Sequence, residues 1–161
     1  MPQAVPTIYA PVFTSSKLGL LERLGFAVLT IGCAVVLGIA AWIRPSADGL
    51  GSHTELGLPR CAWVERFHLP CPSCGFTTSF SHFARGNLAA SFYVQPMGCV
   101  LAILTTATFW GSLYIALTGR PALRLLRVLP IGYLLMALMF FGLAAWAWKI
   151  YTYTHGISGW G

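Results

Sequence analysis

The stretch LGFAVLTIGCAVVLGIAAWI, residues 24–43, decides the fold of this chain. It contains no charged side chain. An α-helix of this length, rising about 1.5 Å per residue, crosses the ~30 Å hydrocarbon layer of a membrane. A cleaved signal peptide is the alternative, but it would have a shorter apolar core and a shorter segment before that core. We therefore predict a first transmembrane helix over residues 24–43.

Two further apolar runs, residues 96–117 and 128–148, are also long enough to span a membrane. Hydrophobic residues make up 57% of the 161-residue chain and charged residues only 9%. Soluble domains carry about a quarter charged residues, so this chain cannot cover itself with a polar surface. The predicted fold class is an all-α integral membrane protein with three transmembrane helices.

The remaining segments divide the chain further. A short interfacial helix is predicted over residues 76–85, because Phe76, Phe80 and Phe83 fall on one face of that helix. The other segments connect or flank the spans: an N-terminal arm with an interfacial segment (1–23), a cysteine-containing loop (44–95), a basic loop (118–127) and an aromatic C-terminal tail (149–161).

The net charge of +6 does not indicate nucleic-acid binding, because the basic residues flank the apolar runs. The 118–127 loop is short and contains Arg120, Arg124 and Arg127, which favours a cytoplasmic position. We therefore expect a multi-pass protein of the bacterial inner (cytoplasmic) membrane, with its N-terminus in the cytoplasm and the cysteine loop and tail outside. The cysteine loop itself carries basic residues that oppose this orientation: Arg44, Arg60, Arg66 and Arg85.

Cys61, Cys71 and Cys74 are the candidate functional residues. The Cys71-Pro-Ser-Cys74 turn precedes the predicted helix, whose N-terminal dipole stabilises a thiolate. Four interpretations remain open: a structural disulfide, free thiols, a redox pair, or a zinc site formed by Cys61, His68, Cys71 and Cys74. Cys33 and Cys99 are expected to pack within the spans.

The predicted spans contain no ionisable residue, so they show no proton or ion relay. Small residues recur at helical spacing, which favours close helix packing in lipid: Ala34, Gly38, Gly98, Ala102 and Thr106. These features favour a small non-catalytic subunit with a cysteine-stabilised surface loop, which packs against larger membrane-protein partners and lipid as a homo- or hetero-oligomer without a cofactor. The alternative is a membrane thiol-redox or zinc-handling protein that uses Cys71 and Cys74.

The cysteine motif also resembles the bacterial domain-of-unknown-function family 2752, over roughly residues 60–117. The residues that carry the resemblance are Cys61, Cys71, Pro72, Cys74, Gly75, Thr77, Arg85, Gly86, Asn87 and Pro96. The chain departs from the family pattern at Thr78, where an Arg is usual, and at His68, where a Gly is common. The resemblance implies a small membrane protein organised around the cysteine loop, and it implies no activity.

Overall fold

A computed structural model describes residues 18–120 and 131–160, and within them the chain forms helices and loops without strands. The long helices are α1 (Leu20–Trp42), α5 (Pro96–Thr118) and α6 (Ile131–Thr154). The shorter helices lie between α1 and α5: a 3₁₀ helix (Ser52–Leu56), α2 (Ala62–Phe67), α3 (Phe76–Ala84) and α4 (Leu88–Val94).

The three long helices are long and apolar enough to cross a membrane. The prediction of an all-α membrane protein with three spans is therefore confirmed, and the short helix predicted between the first two spans is present as α3. Local chemistry fixes the ends of α5. Pro96 occupies its first turn, where a missing N–H costs nothing, and Gly119 ends it in the left-handed conformation.

Helices α1 and α5 run antiparallel and form the main helix pair. At one end the Leu18 N–H donates to the Gly119 carbonyl at 2.9 Å, and the Arg23 guanidinium donates to the Ala116 carbonyl at 2.9–3.0 Å. Midway along the pair, the hydroxyls of Thr30 and Ser112 share a hydrogen bond of 2.8 Å. Residues 44–95 therefore lie at the end of this pair that is opposite to Gly119.

Residues 44–95 fold into a cap over that end of the helix pair, and we call this segment the surface cap. Serine hydroxyls attach α3 to its neighbours. Ser81 donates to the carbonyl of Ile43 at the end of α1, and Ser79 donates to the carbonyls of Ser91 and Gln95. The hydroxyl-bearing face of α3 is therefore buried in the protein, whereas Phe76 and Phe80 line a groove against α1.

The third long helix continues beyond the predicted end of its span at residue 148. Lys149 lies within α6, is 0% exposed, and donates from Nζ to the carbonyls of Gly49 at 3.0 Å and Val94 at 3.2 Å. The predicted span, residues 128–148, stops just before Lys149, whereas the helix that is apolar enough to cross a membrane continues to Thr154 and includes this lysine. The sequence places Lys149 beside a run of aromatic residues, and only the fold supplies the two carbonyls that accept from it.

Several predicted segments fall outside the described residues. They are residues 1–17 of the N-terminal arm, residues 121–130, which include Arg124 and Arg127, and residue 161. Arg120 is described and exposed. The orientation argued from the basic loop therefore stays a prediction.

Candidate functional site: a cluster of three cysteines

The sulfur atoms of Cys61, Cys71 and Cys74 lie within 4.8 Å of one another. The sulfurs of Cys71 and Cys74 are 3.0 Å apart, and all three residues are free cysteines. Cys61 is the N-cap residue of α2, and the other two belong to the turn that precedes α3. The fold thus brings together the three cysteines that the sequence singled out.

A backbone reversal at His68 makes this convergence possible. His68 ends α2 with φ of 53°, in the left-handed conformation that glycine adopts without strain. The His68 side chain is exposed, and its ring is not part of the sulfur cluster. The four-residue zinc site considered from the sequence is thereby reduced to three sulfurs.

Hydrogen bonds organise the turn between Cys71 and Cys74. The backbone N–H of Cys74 donates to the Cys71 carbonyl at 3.0 Å, and the Cys71 N–H points to the Cys74 sulfur at 3.3 Å. The Ser73 hydroxyl lies 3.3 Å from the Cys71 sulfur. The Cys71 N–H favours negative charge on the Cys74 sulfur, but the burial of that sulfur and its thiol neighbours outweigh this effect.

Contacts from the spans hold the same turn in place. The Trp146 indole donates to the Pro70 carbonyl at 3.0 Å, and the Gln95 amide donates to the Pro72 carbonyl at 3.0 Å. Gly75, with φ of 89°, leads the turn into α3. A β-carbon at Gly75 would lie 3.3 Å from Nζ of Lys149, so this glycine also allows the lysine to approach the turn.

The three thiols differ in acidity. Burial raises the pKa of the Cys74 thiol, and its hydrogen bonds to Cys71 and Cys61 raise it further. Burial acts to raise the pKa of Cys61 as well, but hydrogen bonds from the Val64 backbone and from the thiols of Cys74 and Cys71 outweigh it. The pKa of Cys61 is therefore below its ordinary value, and Cys61 accepts hydrogen bonds from the other two thiols when it ionises.

The other motif residues shape the surface cap around the cluster. Asn87 is the N-cap residue of α4, and its side chain accepts from the Ala90 N–H at 3.0 Å. Thr78 is buried, and its hydroxyl lies 2.8 Å from that of Ser52. The remaining motif positions have local roles: Thr77 is half-buried on α3, Arg85 donates to the Ser81 carbonyl, Gly86 has φ of 79°, and Pro96 begins α5.

The predicted packing residues divide into two groups. Gly98 and Ala102 are buried inside the protein, and Thr106 is half-buried, with its hydroxyl bonded to the Ala102 carbonyl. Ala34 and Gly38 are exposed on α1. Cys33 and Cys99 lie in the spans, outside the sulfur cluster.

Three residues near the cluster were missed by sequence reasoning: Gln95, Trp146 and Lys149. Gln95 is 0% exposed, and its side-chain oxygen has no hydrogen-bond partner in the described part of the chain. Its place beside Pro96 in the motif was a signal that could have indicated a role. Trp146 and Lys149 gave no comparable signal, because aromatic and basic residues are ordinary at the end of a membrane span.

Residues 61–109 match the family described as "Protein of unknown function (DUF2752)". The match confirms the resemblance that the cysteine motif indicated. The matched segment contains all three cysteines, helices α2 to α4 and the first part of α5. No curated protein and no solved structure matches the chain.

Proposed function

We propose that the protein is a small, non-catalytic integral-membrane subunit whose surface cap is held together by a zinc ion bound to Cys61, Cys71 and Cys74. The observation that carries the proposal is the convergence of three sulfurs within 4.8 Å from two separate segments. Thiolate sulfur is a preferred ligand of zinc, and zinc–thiolate sites commonly stabilise small folds that lack a large core.

The cluster fits a zinc ion with little rearrangement. Zinc–sulfur bonds of about 2.3 Å in tetrahedral geometry separate neighbouring sulfurs by about 3.8 Å. The sulfurs of Cys71 and Cys74, now 3.0 Å apart, would need to separate by less than about 1 Å. Three sulfurs leave a fourth position, which water or a side chain of a partner subunit would fill.

The test is the zinc content of the full-length protein purified in detergent under reducing conditions. We expect about one zinc per chain, lost in Cys61→Ser and in Cys71→Ser. Cys33→Ser is the matched control, because Cys33 lies in α1 outside the cluster. Absence of zinc from reduced wild-type protein incubated with zinc, or equal loss in Cys33→Ser, would contradict the proposal.

A dithiol–disulfide pair is the second candidate, and the 3.0 Å separation of the Cys71 and Cys74 sulfurs favours it. A disulfide bond is about 2.05 Å long, so closure needs a movement of about 1 Å. Closure passes two protons and two electrons from the pair to an external oxidant, such as the disulfide of another protein, which is reduced to two thiols. Alkylation under non-reducing conditions followed by mass spectrometry distinguishes the candidates: an oxidised pair is two hydrogens lighter and is not alkylated, whereas a zinc site yields three alkylated cysteines once the metal is removed.

The proposed packing against other membrane subunits would use the face of α1 that carries Ala34 and Gly38, because both residues are exposed. Ala102 is a poor probe of such an interface, since it is 0% exposed within the chain. We expect Gly38→Leu to weaken association, measured by size in mild detergent and by co-purification. Gly32→Leu is the control, because Gly32 is also exposed but lies on the other side of the helix. Equal association of the two variants would contradict this part of the proposal.

A further inference from the structure

Lys149 is a buried cation in a helix long and apolar enough to span a membrane. It is 0% exposed, and two of its three N–H bonds are donated to the carbonyls of Gly49 and Val94. No carboxylate is paired with it in the described residues, and the neighbouring Asp48 side chain is exposed. A buried charge without a counter-charge is costly, and in a membrane span it marks a functional position by default.

The cysteine cluster lies beside this cation. A β-carbon on Gly75 would be 3.3 Å from Nζ of Lys149, so the ammonium packs directly against the residue that follows Cys74. The chain therefore places the Lys149 amine at the buried side of the cluster, while Cys61 and Cys71 remain partly exposed.

The charges of a zinc-loaded cluster and of Lys149 would balance each other. Three thiolates and one Zn²⁺ carry a net charge of −1, and the Lys149 ammonium brings the total to zero. A neutral assembly is far cheaper to bury than either a lone ammonium or a lone anionic metal site. We infer that Lys149 is the internal counter-charge of the metal-loaded cysteine cluster, a positioning residue that raises the affinity for zinc without binding the ion. This inference rests on the proposed function.

The alternative explanation is that Lys149 has only a structural role. Its hydrogen bonds to Gly49 and Val94 would then simply hold the Gly49 loop and α4 against α6. Trp146 provides the matched control for that explanation. It lies three residues earlier on the same helix, and its indole donates to the carbonyl of Pro70, next to Cys71, without carrying a charge. Trp146→Phe therefore removes a fastening contact to the cysteine turn and leaves the charge in place.

The experiment measures zinc affinity by competition with a chromophoric chelator, using full-length protein in detergent. We expect Lys149→Met to weaken zinc binding by at least about tenfold, because it removes the balancing charge at nearly constant length. Lys149→Arg and Trp146→Phe should each stay within about threefold of wild type. The Co²⁺ absorption spectrum should be unchanged in every variant, because the ligands remain the same.

The outcomes separate the two proposals. Zinc binding that is unchanged in Lys149→Met, or equally weakened in Trp146→Phe, overturns the counter-charge and leaves the zinc site standing. Absence of zinc from reduced wild-type protein incubated with zinc overturns the proposed function and this inference with it.

Discussion

Gly98 lies so close to Ser79 that a β-carbon at position 98 would be 2.9 Å from both the Cβ and the Oγ of Ser79. The Ser79 hydroxyl cannot turn away without loss, because it donates to the carbonyls of Ser91 and Gln95. The first turn of α5 therefore packs against α3 of the surface cap at Gly98, where only glycine leaves room for Ser79.

Gly98→Ala should destabilise the protein by about 1–3 kcal/mol, because the added methyl group overpacks the contact with Ser79. Thermal unfolding in detergent, followed by circular dichroism, measures the loss. Gly111→Ala is the matched control on the same helix, since a β-carbon there meets no atom within 4 Å. Similar melting of the two variants would show that the Gly98 contact is looser than described.

His68→Gly should stabilise the protein by about 1 kcal/mol, because it relieves a left-handed backbone conformation at a non-glycine residue. Zinc content should not change, since the His68 ring is outside the cluster. Arg66→Gly is the control, and it should lower stability. Arg66 lies within α2, where glycine lowers the free energy of unfolding by about 1 kcal/mol. Loss of zinc in His68→Gly would instead indicate that the His68 ring binds the ion.

Gly49→Ala should detach the C-terminal segment from the surface cap. A β-carbon at Gly49 would overlap the carbonyl oxygen of Ser158. Gly51→Ala controls for backbone strain, since Gly51 also has positive φ but has open space around its Cα. Limited proteolysis with mass spectrometry should show faster cleavage near the C-terminus in Gly49→Ala only. Equal cleavage of both variants would assign the effect to strain.

Acid should destabilise the protein partly through His82. Burial lowers the pKa of His82 from 6.5, and the nearby Arg85 charge lowers it further. The folded state therefore resists protonating this ring, while the unfolded chain takes up the proton below about pH 6.5. The stabilisation is complete above that pH and is lost as the pH falls.

His82→Gln should therefore reduce the fall in melting temperature between about pH 7.5 and pH 5.5. His155→Gln is the comparison, because His155 lies exposed beyond the end of α6. An acid sensitivity in His82→Gln as large as in wild type would exclude His82 as its source.

The cysteine cluster and the C-terminal segment should face the outside of the cell. They share one end of the molecule, because the Ser158 hydroxyl donates to the Asp48 carbonyl at 2.7 Å and Trp146 reaches Pro70. A membrane-impermeant thiol reagent applied to intact, reduced and metal-depleted cells should label Cys61 or Cys71. Labelling only in permeabilised cells would show the opposite orientation. A reporter fused to the C-terminus should then also lie on the cytoplasmic side.

The long helices could be predicted from the sequence because the length and polarity of a segment decide whether it crosses a bilayer. The short helices α2 and α4 could not, because six and seven residues form a helix only with support from tertiary contacts. The helix of residues 76–84 could, since its aromatic stripe has helical spacing. The burial of its serine face could not be predicted from the sequence, because serine is ordinarily exposed. Ser79 and Ser81 are buried here because the carbonyls of Gln95 and Ile43 accept their hydrogen bonds.

The cysteine cluster was half predictable. The spacing of Cys71 and Cys74 guarantees that they meet, but the return of Cys61 depends on the left-handed backbone conformation of His68, which is uncommon for residues other than glycine. Lys149 was assigned to the tail because charge usually ends a membrane span. Its acceptors, Gly49 and Val94, are 100 and 55 residues away along the chain, beyond the range of any local pattern.

The contact between Arg23 and Ala116 has a consequence for the synthesis of the protein. The two residues are separated by 93 positions. The Arg23 guanidinium in α1 donates to a carbonyl near the end of α5, a helix that the ribosome makes much later. At about 5–20 residues per second, the ribosome needs roughly 5–20 s to add that stretch. For those seconds α1 has no α5 to pack against, so the face of α1 that the finished protein buries, including Thr30, stays uncovered until Ser112 has been made.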